Sequence, residues 1–229
     1  MNLRFHRLGR VLATFGILGA SAVGCTSCDD AGSATSSQGV SANRCVVRLH
    51  GKGGQGGDST VEAGVATLYP EGNVAGWGGR QWLYFPQESY LTALAAITES
   101  VSAAECDTVV IAGFSNGASF AAKLYCGGET LNGALVGVVI DDPVTDAGVT
   151  ECSPSPVVQA ALYWTSALER SAPAGADCGA IDWTCEGGRS IGIEAYAVSL
   201  GLAVQASIHT DHQPYWTSPE IAEWLQAPA

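Results

Sequence analysis

The stretch Thr108 to Gly117, TVVIAGFSNG, combines a buried strand with a sharp turn. Val109 to Ala112 are apolar, as in a strand that is covered on both faces of a sheet. A small-residue helical pattern, Ala118 to Tyr125, follows the turn. In this context a G-x-S-x-G motif places its serine at a strained turn above the sheet, beside a helix N-terminus. We therefore predict that Ser115 is a nucleophile; a Gly/Ser turn between any strand and its helix is the alternative.

Strands and helices alternate along the rest of the chain. The predicted strands are Val46–His50, Gly64–Tyr69, Thr108–Ala112, Leu135–Ile140, Pro156–Trp164 and Ala203–Ile208. The predicted helices are Glu88–Ala104, Ala118–Tyr125, Ile191–Leu200 and Pro219–Leu225. This alternation predicts an α/β fold, a three-layer α/β/α sandwich around a mostly parallel sheet. The chain is too short to leave much room for a lid domain.

The first 24 residues resemble a bacterial lipoprotein signal. Three arginines precede an apolar segment, Val11–Val23, which is too short to span a membrane. The segment ends before Cys25, which the resemblance makes the lipidated N-terminal residue. Ala22 departs from the usual pattern, so ordinary secretory cleavage is the alternative. Both readings predict an exported bacterial protein, either anchored in the cell envelope or secreted.

Composition divides the remaining chain into a tether and a single domain. Residues 25–43 are small and polar and predict a flexible tether, whereas residues 44–229 are long enough for one domain with a sizeable core. The whole chain carries a net charge of −12, and loss of residues 1–24 leaves seven basic and 22 acidic residues, a net charge of −15. This charge argues against nucleic acid or anionic lipid as a partner. We expect a monomer that reaches a membrane only through its lipid.

Eight cysteines indicate an oxidising compartment. Cys25 and Cys28 precede the domain, which leaves six for pairing. Cys45 and Cys106 each lie just before a predicted strand, and they meet if those strands are parallel neighbours. The predicted disulfides are Cys45–Cys106, Cys178–Cys185, which closes a short loop, and Cys126–Cys152, which remains. Among these six cysteines no C-x-x-C spacing or Cys/His cluster supports a metal site, so we predict none.

The sequence His50 to Gly54, HGKGG, follows the first strand and is similar to the oxyanion loop of α/β-hydrolases. With GFSNG and a late histidine, it gives the chain a resemblance to the α/β-hydrolase superfamily from His50 to the C-terminus. Within that superfamily the chain looks like small secreted esterases of the cutinase and polyhydroxyalkanoate-depolymerase-like kind. The resemblance implies that the amides of Lys52 and Asn116 hold an oxyanion and that no cofactor is needed. A flexible Gly-rich loop is the alternative for HGKGG.

A serine nucleophile needs a histidine base and a carboxylate that orients the histidine. In α/β-hydrolases the chain order is Ser, acid, His. We prefer His212, in the loop after the last strand, as the base, with His209 as the alternative. We prefer Glu169 as the acid, because LERSAP looks like the L-D-x-x-A-P segment of bacterial cutinases. Asp142 is the alternative, since some α/β-hydrolases place the acid one strand earlier.

Aromatic residues follow a strand end on the side where the site is expected: Trp77, Trp82, Tyr84 and Phe85. They predict the lining of an acyl or aromatic pocket, with simple core packing as the alternative. The expected activity is that of a serine hydrolase that cleaves small or polymeric carboxylic esters through an acyl-enzyme. A peptidase or amidase would use the same triad. The alternative of another class is a non-catalytic envelope lipoprotein that uses a hydrolase fold as a binding module.

Overall fold

Five strands precede the first helix in the computed structural model, which describes residues 44–149, 151–165, 173–206 and 211–214. These residues all belong to one compact unit, residues 39–229. The strands are β1 (Arg44–Leu49), β2 (Gly57–Glu62), β3 (Val65–Tyr69), β4 (Val74–Gly76), β5 (Gly79–Gln81), β6 (Thr108–Phe114), β7 (Leu135–Asp141), β8 (Gln159–Trp164) and β9 (Val204–Ala206). The helices are α1 (Gln87–Ala103), α2 (Asn116–Cys126) and α3 (Ile193–Leu200), with a 3₁₀ turn at Leu131–Gly133.

Seven of the strands form one sheet in the order β2-β3-β1-β6-β7-β8-β9. All neighbours are parallel except β2 and β3, which are antiparallel, and β4 and β5 form a separate hairpin. The predicted α/β fold with a mostly parallel sheet is confirmed. The chain leaves β1 toward one edge of the sheet and leaves β6 toward the other. Ligand sites of open α/β sheets lie at such a reversal, outside the carboxyl ends of the strands.

The six predicted strands and the first three predicted helices all have counterparts among the described elements. Strands β2, β4 and β5 were not predicted. Every residue of β2, GDSTVE, is exposed, so its sequence lacks the alternation of apolar and polar residues that predicts a strand. Strands β4 and β5 have three residues each, too few to show a period. The predicted helix Pro219–Leu225 lies outside the described residues.

Side chains that alternate along the strands build two apolar clusters. The larger cluster unites one face of the sheet with apolar side chains of α1, α2 and α3. Helix α2 is buried at ten of its eleven positions, and five of them carry small residues that let the helix lie close to the strands: Gly117, Ala118, Ser119, Ala121 and Ala122. The smaller cluster lies on the opposite face of the sheet and consists of Val46, Val110, Ala112, Val139, Ala161 and Tyr163, with two valines packed against it.

The three predicted disulfides are confirmed. Cys45–Cys106 joins residues whose Cα atoms lie 5.7 Å apart, and the register of β1 on β6 pairs Arg44 with Thr108. The premise of the prediction, that the two strands are parallel neighbours, therefore holds. Cys126–Cys152 and Cys178–Cys185 have Cα separations of 4.2 and 5.9 Å. None of the helices in the described ranges is both long and apolar enough to cross a membrane.

The two glycines of the G-x-S-x-G motif allow α2 to start in direct contact with the strands. A Cβ atom on Gly117 would lie 2.2 Å from the carbonyl oxygen of Leu49, at the end of β1. A Cβ atom on Gly113 would lie 2.3 Å from the carbonyl oxygen of Gly117. Both contacts are to backbone, which cannot swing aside as a long side chain would. Any other residue at either position would push α2 away from the sheet.

We expect Gly117→Ala to lower the free energy of unfolding by about 2 kcal/mol, as overpacking of a tight core does. Gly57→Ala is the matched control, because a Cβ atom there would meet only the Cβ atom of Tyr69, at 3.8 Å. The control should stay within about 0.5 kcal/mol of the wild type. Urea unfolding of the three proteins measures the difference. Equal stability of Gly117→Ala and the wild type would contradict the close contact.

Candidate active site

Ser115 lies at the turn between β6 and α2 with φ 53° and ψ −117°, in a region that bulky residues rarely adopt. Its amide donates to the carbonyl oxygen of Asp141 at 3.0 Å, and its own carbonyl accepts from the Ser119 amide at 3.0 Å. These bonds hold the turn at both sides, so the strained backbone is maintained by its surroundings. The hydroxyl is thereby presented at the carboxyl end of the sheet, at the position the motif predicts for a nucleophile.

His212 reaches Ser115 from the far end of the chain. Its Nε2 lies 2.9 Å from the Ser115 Oγ, and its Nδ1 contacts the Oδ2 of Asp142. A carboxylate accepts only, so Nδ1 carries a proton and Nε2 is left as an acceptor for the serine hydroxyl. The ring of Phe114 packs on the imidazole at a centroid distance of 4.6 Å. The alternative base, His209, lies outside the described residues.

Asp142, directly after β7, is the carboxylate that contacts the Nδ1 of His212. The residue is fully buried, and besides His212 its carboxylate accepts from the Thr165 hydroxyl at 2.9 Å and the Thr165 amide at 3.2 Å. Its φ of 53° turns the chain at the strand end. The structure thus brings to His212 the acid that the sequence analysis gave as the alternative. The preferred acid, Glu169, lies outside the described residues.

The two residues expected to hold an oxyanion line the same cavity as Ser115. Asn116 is the first residue of α2, so its amide lies in the first helical turn, where no earlier helical carbonyl can receive it. Lys52 lies in the HGKGG loop, next to Gly51. A Cβ atom on Gly51 would come within 3.2 Å of the Ser115 Cβ, which places this loop directly against the serine.

Two side chains that fix this arrangement were not predicted. The buried side chain of Asn116 accepts at Oδ1 from the Trp82 backbone amide at 2.7 Å and donates from Nδ2 to the Trp82 carbonyl oxygen at 3.0 Å. The buried hydroxyl of Ser119 bonds the Ser115 carbonyl at 3.2 Å and accepts from the Val144 amide at 3.0 Å. A polar side chain one helical turn after the nucleophile, in an otherwise apolar helix, is the signal that could have identified Ser119.

A cavity of about 200 Å³ opens beside Ser115 and His212. Its apolar lining comes from Phe114, Val144, Trp77 and Trp183. Of the four aromatic residues predicted to line a pocket, only Trp77 does so. Trp82 and Tyr84 are buried in the core, and Phe85 packs against it. For those three the alternative of core packing is correct.

The loop from Cys178 to Cys185, called the disulfide loop below, forms one wall of the cavity. Buried Asp146 anchors the segment that follows the disulfide loop. Its carboxylate accepts from the Gly187 amide at 2.8 Å and from the Glu186 amide. The Tyr84 hydroxyl donates to Asp146 at 2.9 Å and also contacts the Thr184 carbonyl at 3.0 Å. Burial, with the neighbouring Asp146 carboxylate, raises the pKa of Tyr84, so the phenol remains a donor.

Lys52 connects the HGKGG loop to the disulfide loop across the cavity mouth. Its Nζ lies 3.0 Å from the Asp182 Oδ1 and 2.8 Å from the Asp182 carbonyl oxygen, and 4.9 Å from the centre of the Trp77 ring. The Trp77 indole N–H donates to the other carboxylate oxygen of Asp182. The hydrogen bond from Lys52, followed by that from Trp77, lowers the pKa of Asp182. This acid is engaged at the rim and does not contact His212.

No group of three or more His, Cys, Asp or Glu side chains in the described ranges is placed to hold a metal ion. Asp141, Asp142 and Asp146 are buried, so the acidic run after β7 is not a surface cation site.

His50 has a structural position beside the site. Its Nδ1 lies 2.8 Å from the Gly51 carbonyl oxygen, and its Nε2 accepts from the Gly72 amide at 3.1 Å. The neutral ring with a proton on Nδ1 satisfies both bonds, whereas the charged ring would lose the second one. Burial lowers the pKa of His50 below its ordinary value of 6.5, because it removes water from the charged form.

Neutral His50 should therefore contribute stability above pH 6.5 that is lost as the pH falls from 6.5 through its lowered folded pKa. Replacement by Gln removes this titration and costs about 1 kcal/mol of hydrogen bonding at pH 7.5. We expect the wild type's advantage in free energy of unfolding over His50→Gln to shrink between pH 7.5 and pH 5.5. Urea unfolding of both proteins across this range measures it. An advantage that grows on acidification would show that the charged ring is the favoured form.

Comparison with known proteins agrees with this architecture. No protein-family model matches the chain, and no curated protein matches it. Among solved structures, a carboxylesterase from Bacillus cereus is similar with a TM-score of 0.53 and 19% identity, over 81% of this chain and 87% of that one. A protein of unknown function from Agrobacterium tumefaciens has a TM-score of 0.47 and 16% identity, over 81% and 89% of the two chains. The predicted resemblance is thereby confirmed at the level of architecture: this chain has the α/β-hydrolase fold.

Proposed function

We propose that the protein is a serine hydrolase that cleaves carboxylic esters, with Ser115 as nucleophile, His212 as base and Asp142 as acid. The observation that carries this proposal is the continuous hydrogen-bond chain from Asp142 through His212 to Ser115. It ends on a strained serine at the mouth of an apolar cavity. Fold alone supports no activity, so the proposal rests on this arrangement of side chains.

In the first half of the reaction the Ser115 Oγ attacks the acyl carbon, and His212 Nε2 takes the hydroxyl proton. The imidazolium that forms is stabilised by the buried Asp142 carboxylate, which also keeps the ring in the tautomer that the attack requires. The carbonyl oxygen becomes an oxyanion beside the amides of Lys52 and Asn116. Each such donor contributes about 3 kcal/mol to transition-state stabilisation in comparable sites.

His212 then gives its proton to the departing alcohol, which leaves the acyl group on Ser115. In the second half of the reaction a water molecule takes the place of the alcohol. His212 removes a proton from this water as it attacks the acyl carbon, and returns the proton to Ser115 as the acid is released. Every proton in this sequence passes through Nε2, because Nδ1 keeps its proton for Asp142.

The size of the cavity favours short acyl groups. At about 200 Å³ it is smaller than the roughly 300–1,000 Å³ typical of sites for drug-sized ligands. Its walls combine Phe114 and Val144 with the disulfide loop, whose anchor is buried. A long acyl chain would therefore have to project into solvent.

Hydrolysis of p-nitrophenyl acetate, butyrate and octanoate by the domain from Ser41 onward tests the nucleophile and the cavity together. We expect turnover, with kcat/KM for butyrate about tenfold or more above that for octanoate, since even one methylene group that a pocket discriminates is worth about 1–3 kcal/mol. Ser115→Ala should lose at least about 10³-fold in kcat with an unchanged circular dichroism spectrum. Equal rates in both proteins would exclude Ser115. No turnover, with no labelling of the wild type by a fluorophosphonate, would favour a binding module, whereas labelling without turnover would favour amide substrates.

Replacement of each candidate acid by its amide identifies the third member of the triad. Asp142→Asn should lower kcat for p-nitrophenyl acetate by about 10³- to 10⁴-fold, because the amide stabilises the wrong tautomer of His212. Glu169→Gln and Asp177→Asn are the matched controls and should stay near the wild-type rate. Asp182→Asn should act on KM, because Asp182 contacts Lys52 and Trp77 at the rim. A loss of kcat that follows Glu169 or Asp182 instead would move the acid there.

A further inference from the structure

We propose that Trp77 is a stacking platform for an aromatic ring in the alcohol half of the ester. This inference rests on the proposed esterase function and adds the class of substrate. Trp77 lines the cavity that contains Ser115 and His212, yet 66% of its surface is exposed. It is the most exposed of the large aromatic side chains in the described residues, and it lies at the mouth of the proposed active site.

The backbone conformation at Trp77 indicates that the turn itself does not require an indole. Trp77 and Gly78 form the two-residue connection between β4 and β5, with φ values of 43° and 80°. Two-residue turns with positive φ at both positions favour Asn-Gly or Gly-Gly, and a bulky residue is strained at the first position. A large apolar side chain that stays 66% exposed gains little from burial to offset this strain. Strain that is retained at the rim of a site indicates a functional role.

Contacts on several sides fix the orientation of the indole. The Lys52 Nζ lies over the ring at 4.9 Å, and the indole N–H donates to Asp182. Two backbone hydrogen bonds join the hairpin to the HGKGG loop. The Gly53 amide donates to the Arg80 carbonyl at 2.8 Å, and the Arg80 amide donates to the Gly54 carbonyl at 2.7 Å. A ring that is held in place and yet is 66% exposed costs little conformational entropy when a ligand binds to it.

The volume of the cavity decides which half of the ester meets Trp77. A space of about 200 Å³ holds one short portion of a substrate, so the other portion must lie across the rim. The acyl group stays on Ser115 after the first step, whereas the alcohol must leave before water can enter. An enclosed acyl group and an alcohol on the open rim satisfy both demands. Stacking on the indole face then selects a planar aromatic ring over a saturated ring of similar size.

Benzyl acetate and cyclohexylmethyl acetate form the matched pair of substrates, because they share the acyl group and their alcohols have similar leaving ability. We expect the wild type to prefer benzyl acetate by about two- to tenfold in kcat/KM. Trp77→Asn should bring this ratio close to one while it relieves the turn, which Asn-Gly suits. Trp77→Phe should keep part of the preference. Leu91→Ala is the control. It removes a different exposed apolar side chain, which lies on α1, and should keep the wild-type ratio.

A wild-type ratio near one, or a ratio that Trp77→Asn leaves unchanged, would overturn the platform. A ring preference found only with methyl phenylacetate over methyl cyclohexylacetate would overturn its assignment to the alcohol half. A separate readout applies if no ester is hydrolysed, in which case the proposed function fails. The indole N–H resonance of Trp77, assigned by its loss in Trp77→Asn, should then shift saturably with benzyl alcohol and less with cyclohexylmethanol. Equal shifts, or none, would overturn the platform independently of catalysis.

Discussion

The contact between the first turn of α2 and the end of β1 is the constraint on which the site depends. Because Gly117 has no side chain, the helix can start against the Leu49 carbonyl. A Cβ atom at this position would lie only 2.2 Å from that carbonyl oxygen. The chain leaves β1 directly into the HGKGG loop, where Gly51 lies against Ser115. One packing contact therefore fixes both Ser115, the proposed nucleophile, and the loop proposed to stabilise its oxyanion. Backbone contacts, rather than flexible side chains, set the distance between Ser115 and this loop.

Two buried carboxylates divide the segment after β7 between the site and its wall. Asp142 faces His212, with Thr165 as its second partner, whereas Asp146 accepts from backbone amides and the Tyr84 hydroxyl around the disulfide loop. Burial of a carboxylate is costly unless its oxygens are hydrogen-bonded, and both meet this demand. Val144 lies between them and is bonded to Ser119 on α2. The proposed nucleophile, the proposed acid and the cavity wall are thus joined through one short stretch of chain.

The features that the sequence predicts well have local signals. GFSNG lies between a strand and a helix, and the Cys45–Cys106 pair needs only that two strands be neighbours. The acid has no such signal, because its identity depends on which strand end the loop with His212 reaches, a contact between residues 70 positions apart. The preference for Glu169 came from a short resemblance and could not weigh that geometry. The hairpin with Trp77 has no clear sequence signal, because its three-residue strands show no period and Trp77 stands at the turn position where Asn or Gly is usual.

The ion pair between Lys52 and Asp182 joins the HGKGG loop to the disulfide loop at the cavity. An exposed pair of this kind contributes little to stability because water and salt screen it, and the Asp182 side chain is 65% exposed. Order in the wall must therefore come from elsewhere. The Cys178–Cys185 bond closes the loop and reduces its freedom in the unfolded chain, and Asp146 fixes the backbone that follows. With the wall held in this way, Lys52 and Asp182 serve to position each other and the Trp77 indole. The pair therefore acts on the geometry of the cavity mouth, where a small shift alters which substrates fit, rather than on the stability of the fold.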